Sequence, residues 1–96
     1  MLFAIIGFYT KDAEGHLLEI SSDVNEYLGQ IITPPRLAAS LRGRNGEHLG
    51  NLLLIDAAGF DEAEARLNDS PTLKAGFYDW AQVTELEIEI GGLEPD

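Results

Sequence analysis

The residues from Leu49 to Trp80, LGNLLLIDAAGFDEAEARLNDSPTLKAGFYDW, mark the boundaries of a strand, a turn, a helix and the entry to a further strand. Any fold for this chain must accommodate that order. Leu49 to Ile55 is an apolar run of strand length, and Asp56 to Gly59 supplies turn residues. Asp61 and Glu64 have the D-x-x-E spacing of a helix N-cap with its reciprocal acid, which predicts a helix start there. Ser70-Pro71 stops this helix and suits the N-cap and first position of a short second one. Gly76 is placed to end that turn in a left-handed conformation, which a side chain would resist.

The segments on either side fit around this core. Leu2 to Tyr9, LFAIIGFY, is apolar on both faces, as expected of a central strand covered on both sides, and Lys11 to Gly15 reads as a turn. Leu17, Ile20, Val24, Tyr27, Leu28 and Ile31 recur at spacings of three and four, predicting a helix with one apolar face through about Ile32. Ser21-Ser22-Asp23 offers caps inside that stretch, with Asp23 and Glu26 in capping-box spacing, so Leu17 to Ile20 reads equally as an irregular lead-in. Pro34-Pro35 closes the helix because neither residue has an N–H to continue it. In Arg36 to Arg44, Leu37, Ala39 and Leu41 alternate with Arg36, Ala38, Ser40, Arg42 and Arg44, the period of a strand. Asn45-Gly46 predicts a type I′ hairpin joining this strand antiparallel to the next. A last strand is expected from Ala81 to Ile90, ended by Gly91-Gly92, with a frayed tail over Leu93 to Asp96.

The resulting order is β-α-β-β-α-β in one domain spanning residues 1–96. It predicts an α+β, ferredoxin-like fold: a four-stranded antiparallel sheet in the order 4-1-3-2 with two helices on one face. The other face then carries apolar residues from the central strand without a cover. A second copy across a two-fold axis would supply one, so a homodimer through the open face is expected.

Charge and composition narrow the partners. Six Lys plus Arg against seventeen Asp plus Glu give a net charge of −11, a field that repels nucleic acid and anionic membrane surfaces. The absence of cysteine removes disulfides, thiolate catalysis and zinc–thiolate sites. Met1 to Tyr9 is too short to span a bilayer and lacks the basic start and cleavage site of a signal peptide, so a cytoplasmic location is expected.

The opening LFAIIGFY, the hairpin running NGEHLGNLLLID from Asn45 to Asp56, the acid-rich helix, and SPTLKAGF from Ser70 to Phe77 resemble the YciI-like (YCII-related) family of the dimeric α+β barrel superfamily. The resemblance implies a protomer that pairs sheet to sheet into a barrel, with a cleft associated with the dimer. It further implies a His near the start of the first helix and an Asp just before the Pro of the second helical segment, a pair suited to acid–base chemistry. Here those positions hold Val24 and Ser70. Val24 cannot carry a proton, and the neighbouring Asn25 and Asp69 are each turned about a quarter turn away along the chain. No catalytic residue is therefore assigned.

Other constellations are sparse. His16 follows a turn and His48 follows the hairpin tip, positions that expose both. No H-x-x-x-H or E-x-x-H spacing supports a metal, and no glycine-rich phosphate loop supports a nucleotide, so no metal or cofactor is expected. Asp61, Glu62 and Glu64 fit the first turn of a helix through its dipole. Trp80, Phe77 and Tyr78 read as core or rim aromatics.

Arg36, Ser40 and Arg42, with Arg44 beyond, place half of the chain's positive charge on one side of one strand. Three readings stand. The row guards an edge against further pairing; or, with His48, it holds a small anion such as a carboxylate on the open sheet face; or it contacts Glu85, Glu87 and Glu89 of a second copy. The function classes that follow are a small-molecule binding protein that has lost the family's acid–base pair, an enzyme with relocated residues, and a structural dimer. A polar enclosed cleft would favour the first two.

Overall fold

In the computed structural model, which describes residues 1–29 and 35–92, the doubly apolar segment β1 (Leu2–Tyr9) is central to a four-stranded sheet. Its neighbours are β3 (His48–Asp56) on one side and β4 (Tyr78–Leu86) on the other, with β2 (Leu37–Arg42) outside β3. All pairings are antiparallel, in the predicted order. The helices are α1 (Ser21–Gly29), α2 (Phe60–Asn68) and the single turn α3 (Pro71–Lys74). This is the ferredoxin-like α+β arrangement.

Register sorts the side chains. Phe3 pairs with Ile55 and Ile5 with Leu53 and Val83, so these residues share the face on which α2 packs. Phe3 is fully buried, and Ala63 of α2 is as well; the small residue lets the helix approach the sheet closely. Phe60 closes the end of this core by meeting Phe3 edge-on at 4.9 Å. Full burial of a side chain such as Phe3 contributes about 1.5–3 kcal/mol. On the other face, alternation places Leu2, Ala4, Ile6 and Phe8 beside Leu52, Leu54 and Trp80. Phe8, Leu37 and Trp80 are 39%, 41% and 45% exposed there, and the Phe8 and Trp80 rings lie 5.6 Å apart.

Several boundaries differ from the sequence reading. Asp61 is not the cap of α2: the helix begins at Phe60 after Gly59, and no side chain caps it. The Phe60–Phe3 contact draws the start of the helix earlier, and Glu62 reaches back to accept the Ala58 N–H at 2.7 Å. The hairpin is not type I′, because Asn45 does not adopt positive φ. Instead the Gly46 N–H donates to the Gly43 carbonyl, placing Arg44 and Asn45 at the centre of the turn, and Gly46 at φ 80° carries the left-handed step. Lys11 to Gly15 is only partly a turn, for Ala13–Ile20 forms a 3-10 helix that leads into α1. The lead-in reading of Leu17 to Ile20 is thus the better one.

At the far end, β4 begins at Tyr78 and ends at Leu86. The alternation to Ile90 fails because Leu86 already pairs with Leu2, the first residue of β1, which leaves Glu87 to Ile90 without a neighbouring strand. Glu87 and Glu89 therefore lie beyond the strand. β2 is shorter than Arg36 to Arg44 because a register shift between Leu41 and Arg42 breaks the ladder. Ile31, Ile32, Pro34 and Leu93 to Asp96 lie outside the described residues. Among the described residues, no helix is long and apolar enough to cross a membrane.

Candidate functional site

A cavity of about 290 Å³ lies between the sheet and the helices α1 and α3. Its position follows from the way α3 is built. The Ser70 carbonyl accepts the Lys74 N–H at 3.0 Å to form one turn, Gly76 at φ 77° ends it, and the chain re-enters the sheet at Tyr78. This brings Ser70, Pro71 and Thr72 above the end of the sheet where Tyr78 meets Tyr9. A register shift between Phe8 and Tyr9 re-aims the last residue of β1, as bulges commonly do beside binding sites.

The floor is set by a glycine. A Cβ on Gly7 would fall among the ring atoms of Tyr78, so the missing side chain is what allows that ring to lie across β1. The Tyr78 ring stacks with Tyr9 at 5.9 Å and 4° between planes, and its hydroxyl donates to Asn51 Oδ1 at 2.6 Å. Asn51 pairs with Ser40 across β3 and β2, and both line the cavity. The roof comes from α1 through Val24, Tyr27 and Leu28. Tyr27 donates its hydroxyl proton to the Arg66 carbonyl at 2.6 Å, tying α1 to α2.

The cavity-lining groups that titrate are Tyr9, Tyr27 and Tyr78. Burial raises all three phenols above their ordinary value. At Tyr78 the hydrogen bonds shared with Asn51, Thr72 and Ser70 offset part of that rise; at Tyr27 the neighbouring Arg66 charge does the same. All three are therefore protonated near neutral pH. Among the described residues, the lining carries hydroxyls and an amide among apolar walls, with no carboxylate, imidazole or cation. Such a surface can bind and orient a molecule through its hydroxyl and amide groups.

The residues singled out in the sequence are dispersed. Ser40 lines the cavity and therefore faces the helices rather than the open sheet face. Arg36 forms an ion pair with Asp56 at 3.0 Å, and Arg42 donates to the Gly46 carbonyl at 3.2 Å. His48 stands opposite Arg42 at the start of β3, half-buried and outside the cavity lining. Arg44 is in the hairpin turn. His16 is exposed and contacts Glu19 at 2.9 Å. Val24 and Ser70, the two positions picked out by the family resemblance, both line the cavity, whereas Asp69 borders a separate surface depression with Asp23 and Lys74. Among the described residues, no group of three His, Asp or Glu side chains is arranged to hold a metal ion.

Tyr9, Tyr27, Asn51 and Thr72 escaped the sequence reading. Asn51 carried a usable signal, being a lone amide in the apolar run LGNLLLI, and so did Gly7, a glycine inside a central strand. The tyrosines carried none, since an aromatic at a strand end or on an apolar helix face reads as core.

The chain is similar in fold to a dehydrochlorinase. The solved structure is 5-chloro-2-hydroxyhydroquinone dehydrochlorinase from Burkholderia phenoliruptrix AC1100 in complex with 2,5-dihydroxybenzoquinone. The TM-score is 0.80 over 91% of this chain and 94% of that one, at 18% sequence identity. No protein-family model matches the chain, and neither does any curated protein sequence.

Proposed function

We propose that this protein is a dimeric, cytoplasmic small-molecule binding protein of the YciI-like type, with its ligand in the tyrosine-lined cavity and without the family's acid–base pair. The observation that carries the reading is the lining itself: among the described residues, hydroxyls and one amide among apolar walls, with Val24 and Ser70 where the resemblance implies His and Asp. A volume of about 290 Å³ suits a one-ring molecule, since a cavity of roughly 150 Å³ already admits benzene. The dehydrochlorinase of like fold holds a one-ring quinone. Arg36 and Arg42 already donate to Asp56 and to the Gly46 carbonyl, so the cavity is favoured over the row Arg36, Ser40, Arg42 and His48 as the seat of an anion or any other ligand. The exposed apolar residues Phe8, Leu37 and Trp80 support a second copy covering the open face.

The test is an NMR titration with a panel of one-ring compounds, repeated on a Val24→Trp variant that fills the cavity from α1. Compounds that shift the Asn51 and Thr72 amides should lose binding in the variant. Equal binding to both proteins would move the ligand elsewhere. An enzyme with relocated residues is the second reading, favoured by the hydroxyls of Tyr9 and Tyr78 that line the cavity. It requires turnover of a bound compound that disappears in Tyr78→Phe.

A further inference from the structure

The face of the sheet that carries the helices is not covered evenly, and its least covered part adjoins the cavity. Ala38 of β2, Leu53 of β3 and Ile5 of β1 lie in one register row across that face. Ile5 is buried, Leu53 is half-buried, and Ala38 is exposed. The next row on the same face repeats the gradient, with Gly7 buried, Asn51 half-buried and Ser40 exposed. Ala38, Leu53, Asn51 and Ser40 all line the cavity. Cover is therefore lost toward β2, and the cavity reaches solvent over that strand.

β2 is an edge strand, and at its two exposed cavity positions it carries small side chains. Two residues of a strand span about 6.6 Å, so the rim from Ala38 to Ser40 has room for a chain of methylenes or the edge of a ring. The other walls are bulkier, with Val24, Tyr27 and Leu28 coming from α1 and Pro71 and Thr72 from α3. Beyond the rim is bulk solvent, with the exposed Arg42 two residues from Ser40. A group emerging here keeps its hydration, whereas a charge deeper among the phenols and aliphatic side chains would lose it.

We propose that the cavity takes a one-ring molecule carrying a hydrophilic substituent, the ring lodged between Tyr78 and α1 and the substituent passing out over Ala38 and Ser40. The proposal rests on the binding reading above. It adds the direction in which the ligand lies and the one end at which the ligand tolerates charge.

The chain has no cysteine, so a single introduced thiol reports on its own position. Ser40→Cys puts a thiol at the rim, and Arg44→Cys puts a reference thiol in the exposed hairpin turn. Each variant is alkylated with iodoacetamide and with N-benzyl iodoacetamide, the thiolate displacing iodide in both cases, and the rates are followed by mass spectrometry. A benzyl ring seated in the cavity holds its reactive carbon beside residue 40. The benzyl-to-parent rate ratio should then be about tenfold higher at Ser40→Cys than at Arg44→Cys, because docking makes the reaction intramolecular. Val24→Trp or an excess of benzyl alcohol should abolish that advantage. In 0.15 M salt 3-phenylpropionate and 3-phenylpropanol should bind within about threefold of each other, since the net charge of the chain is screened and the carboxylate stays in water.

Equal rate ratios at the two positions, a thiol at residue 40 that neither reagent reaches, or an advantage that survives both Val24→Trp and competition would overturn the proposal. A carboxylate bound about tenfold or more weakly than the alcohol would overturn it too, because its charge would then be buried. In any of these cases, shifts of the Asn51 and Thr72 amides on adding benzyl alcohol would leave the binding reading standing with its mouth elsewhere. If neither benzyl alcohol nor 3-phenylpropanol moved those amides, the binding reading would fall as well.

Discussion

Replacing Gly7 by Ala tests the link between the fold and the cavity, because the expected effect changes sign with the residue at position 78. A Cβ at Gly7 would lie 2.6 Å from Tyr78 Cζ, with other ring atoms equally crowded, so the ring must leave its place across β1. Overpacking of this kind costs about 1–3 kcal/mol, and part of that cost is the Tyr78–Asn51 hydrogen bond. In a Tyr78→Val background the obstructing ring atoms are gone. There Gly7→Ala should stabilise by about 0.5–1 kcal/mol, the usual gain from replacing a glycine in a strand interior. The two backgrounds therefore differ by about 1.5–4 kcal/mol, well above the roughly 0.3–0.5 kcal/mol within which independent sites add. Urea unfolding of the four proteins in this cycle, with unchanged m-values, measures the coupling. If Gly7→Ala had the same effect in both backgrounds, the Tyr78 ring would not rest on Gly7 and the floor of the cavity would be built differently.

Other outcomes follow from single contacts. Tyr27→Phe should destabilise by about 0.5–1.5 kcal/mol in urea unfolding through loss of the bond to the Arg66 carbonyl. Gly46→Ala should cost about 1–2 kcal/mol because the hairpin needs φ 80° there, and Gly46→Asn should cost less. Trp80→Glu should yield a monomer by light scattering at a concentration where the parent protein is a dimer, if the open sheet face is the interface. His16 has its pKa raised by the hydrogen bond and charge of Glu19. The stability it contributes is full below its unfolded pKa of about 6.5 and is lost as pH rises through the higher folded value. A His16→Gln variant should therefore show a flatter stability–pH profile over that interval, and NMR titration of the imidazole should give the raised value directly.

The sequence made the fold legible wherever two signals agreed. β1 was recognisable because an eight-residue run apolar on both faces has no place except the middle of a sheet, and α3 because Ser70, Pro71 and Gly76 each restrict the backbone in the same direction. Errors came where a local signal competed with a tertiary contact. Asp61 and Glu64 have capping spacing, yet Phe60 reaches Phe3 and starts the helix sooner. Glu87 to Ile90 alternate like a strand, yet β1 has no residue left to pair with them. The site was harder to read. Charge drew attention to Arg36 and Arg42, whereas the cavity is made of uncharged residues from six separate elements, and nothing in their spacing reveals that Tyr9, Tyr27, Asn51 and Tyr78 converge.

The two buried glycines of the sheet also bear on how such a cavity can change. A side chain at Gly7 would displace Tyr78 and dismantle the floor, and one at Gly50 would strike the Gly7 backbone, which cannot move aside. Val24, Leu28 and Pro71 face the same space from the helices α1 and α3. New ligand preferences should thus arise by substitution in the roof over an unchanging floor. A library aimed at altered selectivity is best confined to α1 and α3, where variation in shape does not first have to survive a loss of the sheet.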